Sequence, residues 1–358
     1  MRLGLVGCGH IGTVHAYVLQ QLTEAKIVDA ELTATFDADP ERATRVARRH
    51  GGEAAASIAE LVAGVDVVFV CTWTAAHLDA VELAVDAGKP VFCEKPLGPD
   101  LATAERVAEL LERVPHQVGL VLRSSPVFQQ AAAIIASGEY GRPLATILRD
   151  DQYFPIQGFY GSTWRKDVAL AGGGTLIEHS IHDIDVLHWL LGDPVSVTGR
   201  TASRFGHPGI EDTAAVTFGF DDGSVAQLTS VWHQVLTRES GRHLEVFCEG
   251  AALWTDDDYL GPLHVQTSDG TTEILGAVPG WAGQLTVPEV YAHPIAHYGT
   301  AAKGFLDGLA SSAPAAGAGG ARAVGPGYPG ASEALAAHRL VDQAYRSAAS
   351  GGAPVASR

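Results

Sequence analysis

The sequence has few charged residues and no long hydrophobic run. Charged residues make up 18% of its 358 positions, against roughly a quarter in an average chain. No apolar stretch reaches the roughly 20 residues of a membrane span, and we expect no secretory leader because no small-residue cleavage site follows the first apolar run. Basic residues number 24 against 41 acidic ones, a net charge of −17, and they form no cluster. Because such a surface repels phosphate backbones and anionic lipids, we expect neither nucleic acid nor a membrane as partner.

Cysteine is also scarce. The four cysteines, Cys8, Cys71, Cys93 and Cys248, lie inside or beside apolar runs, and no two form a C-x-x-C pair. So few cysteines in a chain of this length do not make a disulfide framework. We therefore predict buried, reduced thiols in a cytoplasmic protein.

What the chain has in quantity is apolar residues, 46% of a 37.4 kDa protein, which is enough for two cores. In its first third, strand and helix patterns alternate. Strands are predicted over 2–7, 32–37, 65–72, 90–93 and 117–123, and helices over 11–22, 40–50, 75–87 and 100–114. The run VDVVFVCT at 65–72 is typical of a strand buried on both faces of a parallel sheet. The pattern predicts an α/β domain with a doubly wound parallel sheet over residues 1–123.

The rest of the chain, residues 124–358, has a different rhythm. We predict helices over 127–137, 176–191 and 332–348, a strand over 144–150, an aromatic loop over 153–164 and short strands over 195–275. Phe220-Asp221-Asp222-Gly223 is a hairpin signal, and the Ala/Gly/Pro/Ser-rich stretch 311–330 indicates a surface loop. This pattern predicts an α+β domain with an open, mostly antiparallel sheet. Its final helix is a candidate to pack back on the first domain.

The sequence Gly7-Cys8-Gly9-His10-Ile11-Gly12 is a G-x-G-x-x-G motif that closes the first strand and opens the first helix. In that context the glycines allow a tight turn, and the helix N-terminus offers N–H groups to a pyrophosphate. The alternative is a plain glycine turn.

Asp37 ends the second strand, 25 residues after Gly12. There a carboxylate accepts hydrogen bonds from ribose hydroxyls and repels a 2′-phosphate, so we predict NAD as cofactor. Arg42 on the next helix keeps NADP open as the less favoured cofactor, and a helix-capping role for Asp37 is the structural alternative.

Ligands in open α/β sheets lie beyond the carboxyl ends of the strands. Cys71, Thr72, Trp73 and His77 follow one strand end and are predicted to line the cofactor. For Trp73 the alternative is a domain-interface anchor, and for His77 a solvated residue at a helix start.

Glu94-Lys95-Pro96 follows the next strand end, again on the side where ligands lie. A lysine beside a dinucleotide can hydrogen-bond a substrate oxygen, and desolvation can tune its pKa. We place Glu94 and Lys95 in the cofactor site. Taken singly, Lys95 is also compatible with a surface lysine.

The densest group of ionisable residues lies in the helix predicted over 176–191. There Glu178, His182 and Asp185 have i, i+4, i+7 spacing, which puts them on one face. An imidazole with carboxylates on one stripe is a plausible general-base arrangement. A metal site and a solvated polar face are the alternatives, and we predict no metal.

Together these motifs resemble the Gfo/Idh/MocA family, the glucose–fructose oxidoreductase and inositol dehydrogenase group. The likeness covers residues 1–192 most clearly, where Glu94-Lys95-Pro96 stands in register with Gly172-Gly173-Gly174 and the helix that carries His182 and Asp185. The resemblance implies a Rossmann domain followed by a domain whose open sheet forms a homodimer or homotetramer. It also implies hydride transfer between a nicotinamide and a sugar, cyclitol or related polyol.

The resemblance also implies roles. Lys95 binds the reacting oxygen, His182 is the general base, and Asp185 holds a neighbouring hydroxyl. Glu178, which we include among the catalytic residues, stands where inositol dehydrogenase-like members have aspartate, and Trp73 replaces a small residue or proline. Further candidates for the pocket wall are Arg123, Tyr160, Trp164 and Arg165.

Two other functions stay open on the same fold. One is an NAD-recycling enzyme that cleaves a glycoside or epimerises a sugar. The other is an NAD-binding regulator without catalysis, against which the acid–base groups argue.

Overall fold

The computed structural model describes residues 1–285, 287, 289–311 and 328–357, with the side chains of 289–294 left undescribed. Most of the predicted surface loop at 311–330 therefore lies outside the described residues. The chain divides into two compact units, one of residues 1–121 with 278–335 and one of residues 122–277 with 336–358. No described helix has the length and hydropathy needed to cross a bilayer.

The first unit contains a parallel sheet flanked by helices. Its strands are β1 (Arg2–Val6), β2 (Glu31–Phe36), β3 (Glu53–Ala54), β4 (Val67–Val70), β5 (Val91–Cys93) and β6 (His116–Val118). Its helices, numbered along the whole chain, are α1 (His10–Glu24), α2 (Pro40–His50), α3 (Ile58–Gly64), α4 (His77–Asp86), α5 (Leu101–Leu111) and α10 (Glu289–Ser311). The strands run in the order β3-β2-β1-β4-β5-β6, so the order reverses beside β1, where such folds bind nucleotides.

Local sequence explains most of these elements. Helix α2 begins where predicted because Pro40 needs no N–H partner at a first helical position and the Asp39 carboxylate accepts from the backbone N–H of Glu41 at 3.0 Å. The sequence pattern indicates no element between the helix over 40–50 and the strand over 65–72, where the structure has β3 and α3. The α3 helix buries only Leu61 and Val62, too few apolar positions to give a periodic signal.

The ranges predicted for the two domains differ from these packing units. Residues 278–335 lie in the first unit because α10 packs on the core beneath α1, where Ile295, Ala302 and Phe305 are buried with Leu19. The ranges 1–123 and 124–358 stay a prediction about domains.

The second unit contains a wide mixed sheet with helices. Its strands are β7 (Pro143–Tyr153), β8 (Ser196–Ala202), β9 (Thr213–Gly219), β10 (Val225–His233), β11 (Gly241–Cys248), β12 (Ala252–Thr255), β13 (Leu263–Thr267), β14 (Gly270–Ile274) and β15 (Val355–Ala356). Its helices are α6 (Pro126–Ser137), α7 (Val168–Ala171), α8 (Thr175–Glu178), α9 (Ile181–Leu191) and most of α11 (Ala331–Ala349), whose first turn belongs to the first unit.

Among the described residues the nine strands run in the order β14-β13-β12-β11-β7-β10-β9-β8-β15, and β7 with β10 is the parallel pair. The predicted hairpin joins β9 to β10, with Gly223 at φ +87°. One sheet face packs on α6, α9 and α11 through Phe128, Ile184, Leu187, Leu228 and Val341. The predicted fold class, a Rossmann sheet followed by a mostly antiparallel sheet, is confirmed.

Candidate functional site

The glycine-rich turn of the first unit has the geometry of a dinucleotide loop. A Cβ on Gly7, which has φ +97°, would lie 2.5 Å from the carbonyl of Cys71, and a Cβ on Gly12 would lie 1.9 Å from the carbonyl oxygen of Gly7. The first and third glycines therefore let β1 and α1 pass close to the end of β4. Gly9 has open space where a Cβ would stand.

The start of α1 and the hydroxyl of Thr72 bear on what this turn can bind. Gly9, at the N-cap position of α1, has no side chain to cap the helix start, and the N–H groups of a helix start favour an anion. The hydroxyl of Thr72 is buried with no hydrogen-bond partner among the described residues. His10 and Ile11 are partly buried in the first turn of α1. The residues present therefore fit a dinucleotide phosphate.

Asp37 stands at the end of β2, as predicted. One of its carboxylate oxygens accepts from the backbone N–H of Cys8 at 2.7 Å, and the other accepts from the N–H of Asp39 at 2.9 Å. The Arg42 guanidinium lies 3.6 Å away. These contacts hold a carboxylate beside the glycine loop and place one cation next to it.

The residues after β4 are arranged around backbone carbonyls. The His77 imidazole is buried, with Nδ1 2.8 Å from the carbonyl oxygen of Pro96 and Nε2 3.2 Å from that of Thr72. Burial lowers the pKa of His77. Trp73 is partly buried. Since both ring nitrogens of His77 already face protein oxygens, the predicted cofactor contact of this residue stays a prediction.

The four cysteines are buried and free, as predicted. Burial raises the pKa of Cys8 to about 12, and burial also raises the pKa of Cys71 and of Cys93. Thiols of this kind are poor nucleophiles.

Glu94 and Lys95 follow β5. The Glu94 carboxylate is buried, and its Oε1 lies 2.7 Å from Nε2 of His15 on α1. Its Oε2 accepts from the backbone N–H of Lys95 at 3.2 Å. Lys95 is itself partly buried. Sequence reasoning missed His15, whose only signal was a polar residue on the apolar stripe of α1.

The second unit carries the other predicted residues, but the helix predicted over 176–191 is broken. It ends as α8 at Glu178 and restarts as α9 at Ile181. At the break, Nε2 of His179 and Oγ of Ser180 lie 3.0 and 2.9 Å from the carboxylate of Asp150 on β7. The prediction of one continuous stripe through Glu178, His182 and Asp185 was therefore wrong.

The carboxylates of this region are paired with arginines. Oε2 of Glu178 accepts from Nε of Arg165 at 3.1 Å, and the Arg165 guanidinium lies 4.4 Å from the ring centre of Trp164. Asp185 accepts two bonds from Arg123, at 2.8 and 2.7 Å. Within each of these two pairs the carboxylate and the guanidinium cancel in charge.

Tyr160 and Arg242 lie close to the same break. The pKa of Tyr160 is raised, mainly by burial, and the charge of nearby Arg242 opposes this shift. The Arg242 guanidinium donates to Asp183 at 2.8 Å and to Asp258 at 2.9 Å. Burial, followed by the charge of Asp150, raises the pKa of Asp183 to about 7.

Glu211 is a further residue that sequence reasoning missed. Its carboxylate accepts from the backbone N–H groups of Gly174 and Leu176 at 2.7 and 2.9 Å, and from the Tyr345 hydroxyl at 2.9 Å. It therefore satisfies the N-terminus of α8, directly before Glu178. No local pattern links Glu211 to a turn 37 residues earlier.

The described residues contain no cluster of three or more metal-ligating side chains. His182 is buried in the first turn of α9.

Comparison with known proteins gives consistent matches. The family described as an oxidoreductase family with an NAD-binding Rossmann fold, Gfo/Idh/MocA, matches residues 1–121, and the C-terminal domain of that family matches residues 128–254. An inositol 2-dehydrogenase of Rhizobium meliloti is 32% identical over 285 residues, which are 76% of this chain and 80% of the relative. The chain belongs to the Gfo/Idh/MocA family. The predicted family resemblance is thus confirmed, and the chain is an NAD-binding oxidoreductase.

Two further proteins are similar. A myo-inositol 2-dehydrogenase of Thermotoga maritima is 29% identical over 72% of this chain and 75% of that protein. The solved structure of levoglucosan dehydrogenase with NADH and levoglucosan aligns with a TM-score of 0.83, covering 99% of this chain and 98% of that one at 20% identity. The similarity to levoglucosan dehydrogenase, at this low identity, supports the fold alone.

Proposed function

We propose that this family member is an NAD-dependent dehydrogenase that transfers hydride between the nicotinamide and a secondary hydroxyl or ketone of a sugar, cyclitol or related polyol. The observation that carries the proposal is the pairing of two buried carboxylates with arginines around α8 and α9. Arg165 with Glu178 and Arg123 with Asp185 supply many hydrogen-bonding groups and no net charge. Such pairs suit an uncharged substrate with several hydroxyls. The names of the inositol dehydrogenase relatives support the same substrate class.

The proposed catalytic residues are Lys95, His182 and Glu178, of which Lys95 and His182 are the acid–base groups. A bound nicotinamide supplies the hydride acceptor or donor. When the alcohol is oxidised, its hydroxyl proton must also leave. We assign the hydrogen bond to the reacting oxygen to the Lys95 ammonium group and the acceptance of the proton to the His182 imidazole, as the family resemblance implies. The Glu178 carboxylate accepts a hydrogen bond from Arg165, and its proposed role is to hold the Arg165 guanidinium in place.

The proposed contacts with the other hydroxyls come from Arg123, Tyr160, Trp164 and Arg165. Asp185 is buried and accepts two bonds from Arg123, so we propose that its effect on a substrate hydroxyl passes through the Arg123 guanidinium. Trp164 lies against the Arg165 guanidinium and helps to hold it in place.

NAD is the proposed cofactor in preference to NADP. Asp37 is held by two backbone N–H groups, and its carboxylate is suited to ribose hydroxyls and opposed to a 2′-phosphate. Arg42 is close enough to soften this preference. Assembly as a homodimer or homotetramer through the second sheet, and a cytoplasmic location, remain predictions.

The direct test is the appearance of reduced nicotinamide, followed by absorbance, with purified protein, NAD or NADP, and a panel of cyclitols, aldoses and glycosides. We expect reduction with NAD and at least one polyol. If the protein binds NAD but reduces none with any polyol, the glycoside reactions are analysed for released or epimerised sugar. Released sugar would show that the protein is the cofactor-recycling enzyme and not a dehydrogenase. No product at all would favour the regulator without catalysis.

A further inference from the structure

Glu94 is a carboxylate in an apolar interior. Its side chain is 6% exposed and that of its partner His15 is 0% exposed. Around the His15 imidazole lie the rings of Phe69, Phe92 and Tyr298, with centroids 5.8, 5.1 and 5.4 Å away. A buried ion pair or polar pair in such a place is weak evidence for stability, because apolar side chains of similar volume often do as well. The pair therefore needs another explanation.

The explanation lies in the second oxygen of Glu94. While Oε1 faces Nε2 of His15 at 2.7 Å, Oε2 accepts the backbone N–H of Lys95 at 3.2 Å. No apolar residue at position 94 can accept that bond. The carboxylate also needs room, and a Cβ on Gly119 would lie 2.8 Å from it. Position 119 must therefore stay small for Glu94 to keep this orientation.

We propose that the His15–Glu94 pair is a positioning device for Lys95. His15 lies three residues after Gly12, so one end of the device is on the helix that opens the dinucleotide loop and the other is on the peptide that carries the lysine. Its effect on turnover rests on the proposed function, because it requires that the Lys95 amine acts on a substrate. The holding of the Lys95 peptide is a structural statement that stands without it.

His77 supplies a second anchor on the same segment. Its Nδ1 lies 2.8 Å from the carbonyl oxygen of Pro96, and its Nε2 lies 3.2 Å from that of Thr72. The residues before and after Lys95 are thus each bound by a buried imidazole. Lys95 is held from both sides, which is what a group that must be oriented within a fraction of an ångström requires.

The bond between His15 and Glu94 suggests a matched pair of variants. Nδ1 of His15 has no hydrogen-bond partner among the described residues, so a neutral donor at the Nε2 position is enough. In His15→Gln the side-chain amide nitrogen reaches the place of Nε2 and can still donate to Glu94. In His15→Asn the shorter amide reaches only the place of Nδ1 and leaves Oε1 of Glu94 without its donor. Phe69→Leu serves as a packing control that disturbs the same core and leaves both His15 and Glu94 unsubstituted.

The first measurement is hydrogen exchange at the Lys95 amide, by mass spectrometry of the NAD-bound full-length protein. Overlapping fragments that begin several residues before Glu94 and end on either side of Lys95 isolate the signal, because the first two residues of any fragment lose their label. Pro96 has no amide and adds nothing to it. We expect exchange at this amide to accelerate about tenfold or more in His15→Asn, because a hydrogen bond to a charged group is weakened. It should stay close to wild type in His15→Gln and Phe69→Leu. Unchanged exchange in His15→Asn would overturn the proposal, whatever the protein catalyses.

The second measurement separates kcat from KM on the polyol that the wild-type protein oxidises. Displacing a reacting group by about 1 Å costs as much as about 10²-fold in rate. We expect kcat to fall by about 10- to 100-fold in His15→Asn, to recover in His15→Gln and to be nearly unchanged in Phe69→Leu, with NAD affinity preserved in all three. Equal losses in His15→Asn and Phe69→Leu would show a merely structural role. If exchange responds as expected but Lys95→Met keeps full activity, the device stands and the proposed role of the Lys95 amine fails.

Discussion

At the scale of single residues, several buried carboxylates are held by partners from distant parts of the chain. Asp37 accepts a backbone N–H 29 residues away, Glu94 pairs with a histidine 79 residues away, and Asp185 pairs with an arginine 62 residues away. Motif spacing identified Asp37, Glu94 and Asp185 because they stand at strand ends or in a dense polar patch. It missed His15 because nothing local in the sequence links that residue to Glu94.

Cofactor choice is a prediction at this scale. In Asp37→Asn the side chain keeps its size and loses the charge, so we expect the ratio of kcat/KM with NAD to kcat/KM with NADP to fall by about tenfold or more, as loss of a charge-assisted hydrogen bond implies. Steady-state kinetics with both cofactors measure the ratio. Arg42→Ala is the matched comparison and should raise the ratio. A ratio unmoved by either substitution would contradict the assignment of Asp37 to the ribose.

A buried carboxyl predicts a pH dependence of stability. The pKa of Asp183 is raised to about 7 by burial and by Asp150, whereas an unfolded aspartate titrates near about 3.9. The folded state therefore binds more protons between these values. Its contribution to stability is fully present below about pH 4 and is lost as pH rises towards about 7. His179 and Arg242 face the same group and oppose this shift.

Urea unfolding across this pH range tests the point. The free energy of unfolding of the wild-type protein, relative to Asp183→Asn, should decline from about pH 4 to about pH 7 and then level off. Asp269→Asn, at an exposed position, is the control. A wild-type-minus-variant difference that stays constant over the whole range would show that Asp183 ionises normally.

At the scale of elements, β4, β5 and α2 of the first unit were predictable from the sequence, whereas β3, α3, α10 and the break in the helix before His182 were not. β4 and β5 are continuous apolar runs and α2 has its own capping signals, so local sequence is enough to place them. The break between α8 and α9 depends instead on Asp150, which binds the side chains of His179 and Ser180 from another strand. Helical periodicity runs straight through such a break, and only the tertiary contacts reveal it.

Glu211 gives the prediction for this element. Glu211→Gln replaces an acceptor oxygen by a donor facing the N–H groups of Gly174 and Leu176, and leaving buried donors unpaired costs about 1–3 kcal/mol each. Tyr345→Phe removes one hydroxyl bond to the same carboxylate and should cost about 1 kcal/mol. Urea unfolding compares the two free energies. If the Tyr345→Phe protein had a lower free energy of unfolding than the Glu211→Gln protein, the role of Glu211 at the start of α8 would be refuted.

At the scale of the whole molecule, each compact unit carries one part of the proposed chemistry. The first unit holds the glycine loop, Asp37 and Lys95, and the second holds His182 with the arginine-paired carboxylates. Family membership and fold class followed from the sequence because the glycine loop and the Glu94-Lys95-Pro96 motif are local and specific. The identity of the polyol did not, because the residues proposed to bind it, such as Arg165, have partners that only the folded chain identifies.

The central claim is that Lys95 acts on the substrate within an NAD-dependent dehydrogenase. Lys95→Met tests it most directly, with NAD affinity measured by titration and turnover measured on the polyol found active, and with Lys303→Met as a control. We predict preserved NAD binding and a loss of turnover of about 10²–10⁴-fold, the usual contribution of a positioned acid–base group. Turnover at the wild-type rate in Lys95→Met would contradict the account.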